Sequence, residues 1–285
     1  MPITEQQREA RKHHVGSSDM AAILGLDPFK TAYDVWLEKK GRLVDRPPSE
    51  VMKAGSRFED GVLDFAEEQL GPLSRNVSKP VEGTPLATNI DALVKETEEP
   101  VEGKTVGLYG PVREWWGQER TDQVPDRVIV QSHVHMMAVS AQVCHVAAFI
   151  GGRGFAMFAV PRNDKLVEIV RERATAFWHE NVEADQPPEG SRASLEVVKL
   201  VRREAEKVVS IDPHIVENWL MANGVASDAI KAKKKAEAAV LEALGDAEAG
   251  LCGDLGAVTY LETQRKGYTA KATTFRTLRH RKKGL

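Results

Sequence analysis

Asp91, Glu102 and Lys104 are the side chains whose types and spacing point to chemistry. They lie in two apolar, β-prone runs, 89–94 and 101–106, that flank the polar turn 95–100. That pattern predicts a β-hairpin with a loose, acidic tip. Glu102 and Lys104 are two apart, so on a strand both leave the same face. Asp91 belongs to the first strand and can reach that face. Carboxylates brought so close repel unless a cation neutralises them. Oxygen ligands of this kind suit Mg²⁺ or Mn²⁺, ions that activate water and stabilise a charged phosphoryl oxygen.

Spacing alone is a weak signal. With 42 acidic residues in 285, about one acid followed at a distance by acid-x-Lys is expected by chance in a chain this long. The chain contains such a decoy, Asp27 with Glu38 and Lys40. The decoy falls in 31–41, where Tyr33, Trp36 and Leu37 follow helical spacing. Residues i and i+2 on a helix diverge by about 200°, so Glu38 and Lys40 cannot share a site, whereas Glu102 and Lys104 can.

The elements around the hairpin must position it. The Val15–Asp19 stretch leads into a short apolar helix, with Ser17 or Ser18 as its natural N-cap and a start that favours an anion. Thr31 and Gly41 bracket the second helix. A longer helix starts after Pro47-Pro48-Ser49 and ends near Gly71, with Phe58, Val62 and Ala66 as its apolar stripe and Glu59 beside that stripe. A Glu at the border of a core face is ordinarily solvated. Residues 73–81 read as an edge strand. Residues 107–122, with Tyr109, Trp115 and Trp116, read as a loop whose tryptophans either stack on bases or are buried.

Residues 125–140 read as a helix carrying Gln131, His133, His135, Met136 and Met137. A soft-metal site is disfavoured there, because His residues two apart face away from each other and Met is a common gap-filler. Gln131 can aim its amide at the hairpin. Residues 144–150 and 155–160 form a second hairpin about Gly151-Gly152-Arg153-Gly154; no helix follows those glycines, so they are a turn and not a phosphate cradle. Residues 163–184 read as an amphipathic helix. Pro187-Pro188-Glu189-Gly190 then breaks the chain.

The organisation expected is a domain over 1–190 and an appendage over 191–285, with helical spacing in 229–243, short strands in 256–275 and a basic tail holding Arg276, Arg279 and Arg281. Net charge is −3 and the pI near 6.3, so any nucleic-acid contact must come from a local patch such as that tail. Two cysteines, Cys144 and Cys252, make neither a disulfide framework nor a zinc site and imply a reducing compartment. No apolar run reaches membrane length and the N-terminus lacks a signal-peptide core. The expectation is a cytoplasmic protein with no membrane contact.

The order of elements and several motifs resemble the YqaJ-like viral recombinase family, the lambda-type phage exonucleases of the PD-(D/E)XK nuclease superfamily. The resemblance rests on Val15-Gly-Ser-Ser-Asp-Met with the stretch to Gly41, Gly55-Ser-Arg-Phe-Glu59, Ala87-Thr-Asn-Ile-Asp91, Glu102-Gly-Lys104, Gln131-Ser-His-Val-His-Met, Gly151-Gly152 and Phe177-Trp178. It covers roughly residues 12–190. The fold it implies is α/β, a PD-(D/E)XK core with a central mixed β-sheet flanked by helices. The activity it implies is Mg²⁺-dependent (or Mn²⁺-dependent) hydrolysis of linear double-stranded DNA, as a 5′→3′ exonuclease in phage-type recombination inside a bacterial host.

By the same resemblance Asp91, Glu102, the Gly103 carbonyl and Glu59 are metal ligands. Lys104 positions or polarises the attacking water, Gln131 orients that water or a ligand, and Ser17, Ser18 and Asp19 lie near the DNA end. The partners implied are duplex DNA ends, a single-strand annealing protein, and copies of the chain itself in a homo-oligomer such as a ring trimer. The chain departs from the family pattern at Ala92, where Gly is usual, at Gly103, where an aliphatic residue is usual, and at His133, where a second Gln is common. The alternative reading is a DNA-binding recombination partner that keeps the fold with little or no hydrolysis.

Overall fold

A computed structural model describes Glu9, residues 11–44, 48–107, 115–204, 207–262 and Gln264. The chain divides into two compact units, Met1–Ala205 and Glu206–Leu285. The division therefore falls fifteen residues beyond the boundary expected at the Pro-Pro break. The reason is that 191–204 folds back on the first unit. The Tyr33 amide donates to Ser191 Oγ at 3.1 Å, the Ser194 amide to Asp34 Oδ1 at 2.9 Å, and Leu43 pairs with Val201 in an isolated β-bridge.

The first unit runs β1 (Val15–Gly16), α1 (Ser17–Ile23), α2 (Ala32–Lys39), α3 (Glu50–Leu70), β2 (Leu73–Pro80), β3 (Leu86–Val94), β4 (Pro100–Val106), α4 (Asp126–Val139), β5 (Val143–Ile150), β6 (Gly154–Pro161), α5 (Asp164–Ala176) and α6 (Leu195–Val198). Its sheet is mixed: β1 pairs parallel with the start of β3, β2 antiparallel with β3, β3 antiparallel with β4, β4 parallel with β5, and β5 antiparallel with β6. Helices cover both faces. Ala147 on β5 packs with Val62, Leu63 and Ala66 of α3, while its neighbours Val146 and Ala148 pack with Val128 and Met136 of α4. Alternate strand residues must point to opposite faces, so this partition fixes α3 on one side of the sheet and α4 on the other.

Local chemistry sets the helix ends. Thr31 Oγ1 accepts from the Asp34 amide at 3.1 Å and Asp34 Oδ2 accepts from the Thr31 amide at 3.0 Å, a reciprocal cap. Ser49 caps α3, which Gly71 ends at φ 85°. At α1 the N-cap is Gly16 and not a serine, because Asp19 reaches back and accepts from the Gly16 amide at 3.1 Å. Of the stripe expected on α3, Val62 and Ala66 are buried, but Phe58 is exposed and stacks on Phe149 at 6.0 Å between ring centroids. The helix expected over 163–184 is α-helical only to Ala176 and continues as π-helical turns over Phe177–Glu183. Trp116 is buried against Phe158, Trp115 is exposed beside Phe29, and Tyr109 lies outside the described residues.

The second unit contains α7 (Pro213–Leu244) and a hairpin of β7 (Ala249–Leu251) with β8 (Ala257–Thr259). Asp212 caps α7 and Gly245, at φ 58°, ends it. The helix begins sixteen residues before the expected 229, with Pro213 in its first turn. Arg276, Arg279 and Arg281 lie outside the described residues. Among the described residues no helix is long and apolar enough to cross a membrane, and Cys144 and Cys252 are free.

Candidate active site

The hairpin of β3 and β4 is splayed. Its paired positions are Ala92 with Val101 and Leu93 with Pro100, at the end next to the tip. Asp91 and Glu102 are the next residue on each strand, at the point where the ladder gives way. There the Asp91 side chain takes the place of a backbone acceptor: the Gly103 amide donates to Asp91 Oδ2 at 2.8 Å. Gly103 faces α3, since a Cβ added to it would meet Val62 and Leu63. Glu102 and Lys104 leave on the α4 side, as the two-residue spacing requires.

The Glu102 carboxylate is 2% exposed and carries protein donors on both oxygens. Oε1 accepts from Lys104 Nζ and, at 2.8 Å, from Gln131 Nε2. Oε2 is bonded to His135 Nε2 at 2.8 Å. Lys104 Nζ also donates to Gln131 Oε1 at 3.0 Å. The orientation of the Gln131 amide follows from its partners, because an ammonium only donates and a carboxylate only accepts. Gln131 and His135 are one turn apart on α4, so they share a face. His133, two residues away, turns elsewhere: its Nδ1 meets the Ile129 carbonyl at 2.7 Å and its Nε2 accepts from the Asn163 amide at 3.0 Å.

The two acids ionise in opposite directions. Burial, then the Glu102 charge, pushes the Asp91 carboxyl up to about 8, against the pull of Lys104 and the Gly103 amide. Burial also opposes ionisation of Glu102, but the Lys104 ammonium and the His135 hydrogen bond outweigh it and hold that carboxyl at about 2. Glu59 on α3 is near enough to add to the negative field at Asp91.

A half-buried carboxyl that resists ionisation beside a second, ionised one is a place where a cation would be stabilised. Among the described residues no three His, Cys, Asp or Glu side chains gather into a ligand cage. Two carboxylates with a neighbouring peptide carbonyl fit an ion that keeps several waters, as Mg²⁺ does, and do not fit a zinc site.

Asp91 and Gln131 open into a cleft of about 890 Å³, walled by Ser17 and Ser18 of α1, by α3, and by the returning segment that carries Arg202. Arg11, Lys12, Lys30, Lys39, Lys53, Arg57 and Arg202 line it, against Asp19, Glu38 and Asp91. The local charge is thus positive on a chain whose net charge is negative. Asp19 lines the cleft, but its carboxylate is committed: Oδ1 lies 2.8 Å from Lys30 Nζ and Oδ2 lies 2.6 Å from Lys39 Nζ. Of the residues singled out from sequence, the structure brings Asp91, Glu102, Gly103, Lys104 and Gln131 together. Ser17, Ser18 and Asp19 border the same cleft. Sequence reasoning misses His135, which it sets aside with the other His and Met residues of α4. The signal for it is the i+4 spacing from Gln131, which makes the two share a target.

A mixed sheet covered by helices on both faces, with two acids and a lysine at the mouth of a splayed hairpin, defines an α/β core of the nuclease kind in fold. The solved structures agree at the level of fold. LHK-Exo in complex with dAMP superposes with a TM-score of 0.53 at 16% identity, over 64% of this chain and 94% of that one. The alkaline exonuclease LHK-Exo from Laribacter hongkongensis gives 0.51 at 15% identity, over 64% and 94%. Residues 7–142 match the family model described as YqaJ-like viral recombinase domain. A Bacillus subtilis (strain 168) protein, uncharacterized protein YqaJ, is 27% identical over 257 residues, 86% of this chain and 79% of that one.

Proposed function

We propose that the protein is a metal-dependent deoxyribonuclease that hydrolyses phosphodiester bonds of linear double-stranded DNA, as a 5′→3′ exonuclease in phage-type recombination. The observation that carries this is the opening of Asp91, beside buried Glu102, into a cleft lined by lysines and arginines. Phosphates fit the cationic walls, and the acids at the floor call for a divalent ion. The direction of digestion rests on the family resemblance.

In this reading Asp91, Glu102 and the Gly103 carbonyl hold Mg²⁺ or Mn²⁺, with Glu59 as a further ligand, direct or through water. When bound, the ion supplies a Lewis acid and an activated water. The chain's own groups do the rest. Lys104 is 27% exposed, so one face of its ammonium can donate to and orient the incoming water. Gln131 ties Lys104 to Glu102 and fixes where that ammonium points. Ser17 and Ser18 hold the DNA end, while Asp19 keeps Lys30 and Lys39 in the cleft wall. The partners are duplex DNA ends, further copies of the chain and a single-strand annealing protein; light scattering reads the oligomer and pull-down with a purified annealing protein reads the last.

A second reading is a DNA-binding recombination partner with little hydrolysis. The occupation of both Glu102 oxygens by Lys104, Gln131 and His135 favours it, because these donors compete with a metal for the same lone pairs. One digestion separates the readings: end-labelled linear duplex and covalently closed circles, each with Mg²⁺. Degradation of the linear form alone is expected. Binding without cleavage supports the second reading, and rapid cutting of closed circles means an endonuclease.

A further inference from the structure

Behind Glu102 lies a buried polar chain that the proposed chemistry does not use. His135 is fully buried on α4, with Nε2 at 2.8 Å from Glu102 Oε2 and Nδ1 at 2.8 Å from Thr88 Oγ1 on β3. Thr88 is itself buried. The carboxylate only accepts, so Nε2 carries a proton. The Thr88 hydroxyl either donates or accepts, so both ring contacts stand whatever the charge on the imidazole.

The chain spans the splayed hairpin. Thr88 sits on one strand, Glu102 on the other, and His135 closes the gap from the helix behind. Carboxylate oxygens offer about four acceptor positions in all. Lys104 and Gln131 take two on Oε1, and His135 takes one on Oε2. About one position, on Oε2, is left for a cation, and the His135 bond fixes the rotation of the carboxylate that presents it.

We propose that Thr88 and His135 are a positioning pair for Glu102, holding its carboxylate so that a single oxygen binds the divalent ion. The proposal rests on the reading of Glu102 as a metal ligand. His135 touches neither DNA nor the reacting atoms. Its role is that of the groups that orient a metal-binding side chain from behind, whose removal typically costs about 10- to 100-fold in metal affinity or activity.

The test uses the full chain and Mn²⁺ alone as probe, with binding read by electron paramagnetic resonance and cleavage of linear duplex read under single turnover. His135→Met fills the space without the donor and is expected to weaken Mn²⁺ binding by about tenfold or more, with DNA affinity in EDTA kept. His135→Gln restores a donor toward Oε2 and should recover most of that deficit, which repair of packing alone would not do. Thr88→Val, a near-isosteric change, should shift Mn²⁺ binding in the same direction by a smaller factor. Wild-type Mn²⁺ affinity in His135→Met, or no recovery with Gln, overturns the proposal. Should His135→Met not fold, unchanged Mn²⁺ affinity in Thr88→Val overturns it equally. Failure of the nuclease reading looks different: the wild-type protein itself then binds no Mn²⁺ and cuts no DNA.

Discussion

Asp91 and Glu102 each stand one residue beyond the Ala92–Val101 pair of one hairpin, yet burial and charge drive them in opposite directions, to about 8 and about 2. The difference lies in what each carboxylate touches. Glu102 has Lys104, Gln131 and His135 around it, whereas Asp91 has the Gly103 amide and the repulsion of Glu102. In the proposed reading a divalent ion would supply the charge that Asp91 lacks.

Lys104 tests the division of labour at that site. Replacement by Ala removes the ammonium from Glu102 and Gln131 and is expected to slow the single-turnover rate by about 10²-fold or more, as when a transition-state interaction is removed. Equilibrium binding of DNA in EDTA should change little. A drop in affinity with an unchanged rate would make Lys104 a phosphate anchor.

Gly103 departs from the aliphatic residue usual in the family, and the backbone does not require it. A Cβ there would stand 3.5 Å from Asp91 Oδ2 and 3.6 Å from Val62 Cγ1, ordinary contact distances. Gly103→Ala should therefore keep cleavage and raise stability by about 0.4–1 kcal/mol through the unfolded chain, read from the urea midpoint. Loss of cleavage would mean that the strand needs the freedom of glycine here.

Asp19 governs the pH dependence of the cleft wall. Burial opposes its ionisation, but Lys30 and Lys39 prevail and hold its carboxyl well below the usual range. A depressed native value contributes stability that is fully present above the ordinary carboxyl value near 4 and is lost as pH falls from there through the lower native value. Asp19→Asn leaves buried Lys39 without that partner and should cost about 3 kcal/mol at pH 7. The gap between wild type and variant should narrow as pH drops below about 4, measured by urea unfolding at each pH. A constant gap would place the effect in packing and not in the ion pairs.

Salt dependence locates the DNA. Removing one side chain that neutralises a phosphate should lower the log–log salt slope of binding by about 0.9 on duplex DNA. Arg57→Ala in the cleft wall is expected to do so, and so is deletion of residues 276–285, which carry Arg276, Arg279 and Arg281. If only Arg57 changes the slope, the basic tail is solvated; if neither does, DNA does not run through the cleft.

Much of the site was legible because a hairpin with two-residue spacing admits few arrangements. Glu102 and Lys104 had to share a face, and Gln131 on the following helix could reach it. The rest depended on long-range packing. Nothing local to His135 reveals that Thr88, forty-seven residues earlier, completes its contacts. Serines at a helix start suggest a cap, but the helix already begins at Ser17, with Gly16 as N-cap and its amide donating to Asp19 at the third helical position. Phe58 fits the period of the α3 stripe, yet it stays exposed and only stacks on Phe149 of β5. The return of 191–204 is hidden by Pro187-Pro188, which marks a turn in the chain and not the end of a packed unit.

The most direct test of metal-dependent hydrolysis at Asp91 is the single-turnover digestion of 5′-labelled linear duplex by wild type and Asp91→Asn at saturating enzyme. Mg²⁺ and EDTA arms are run in parallel, and circular dichroism confirms that both proteins are folded. The expected result is cleavage by wild type with Mg²⁺, none in EDTA, and none by Asp91→Asn in either arm. Full cleavage in EDTA, or by the folded Asp91→Asn protein with Mg²⁺, would contradict a metal-dependent nuclease built on this hairpin.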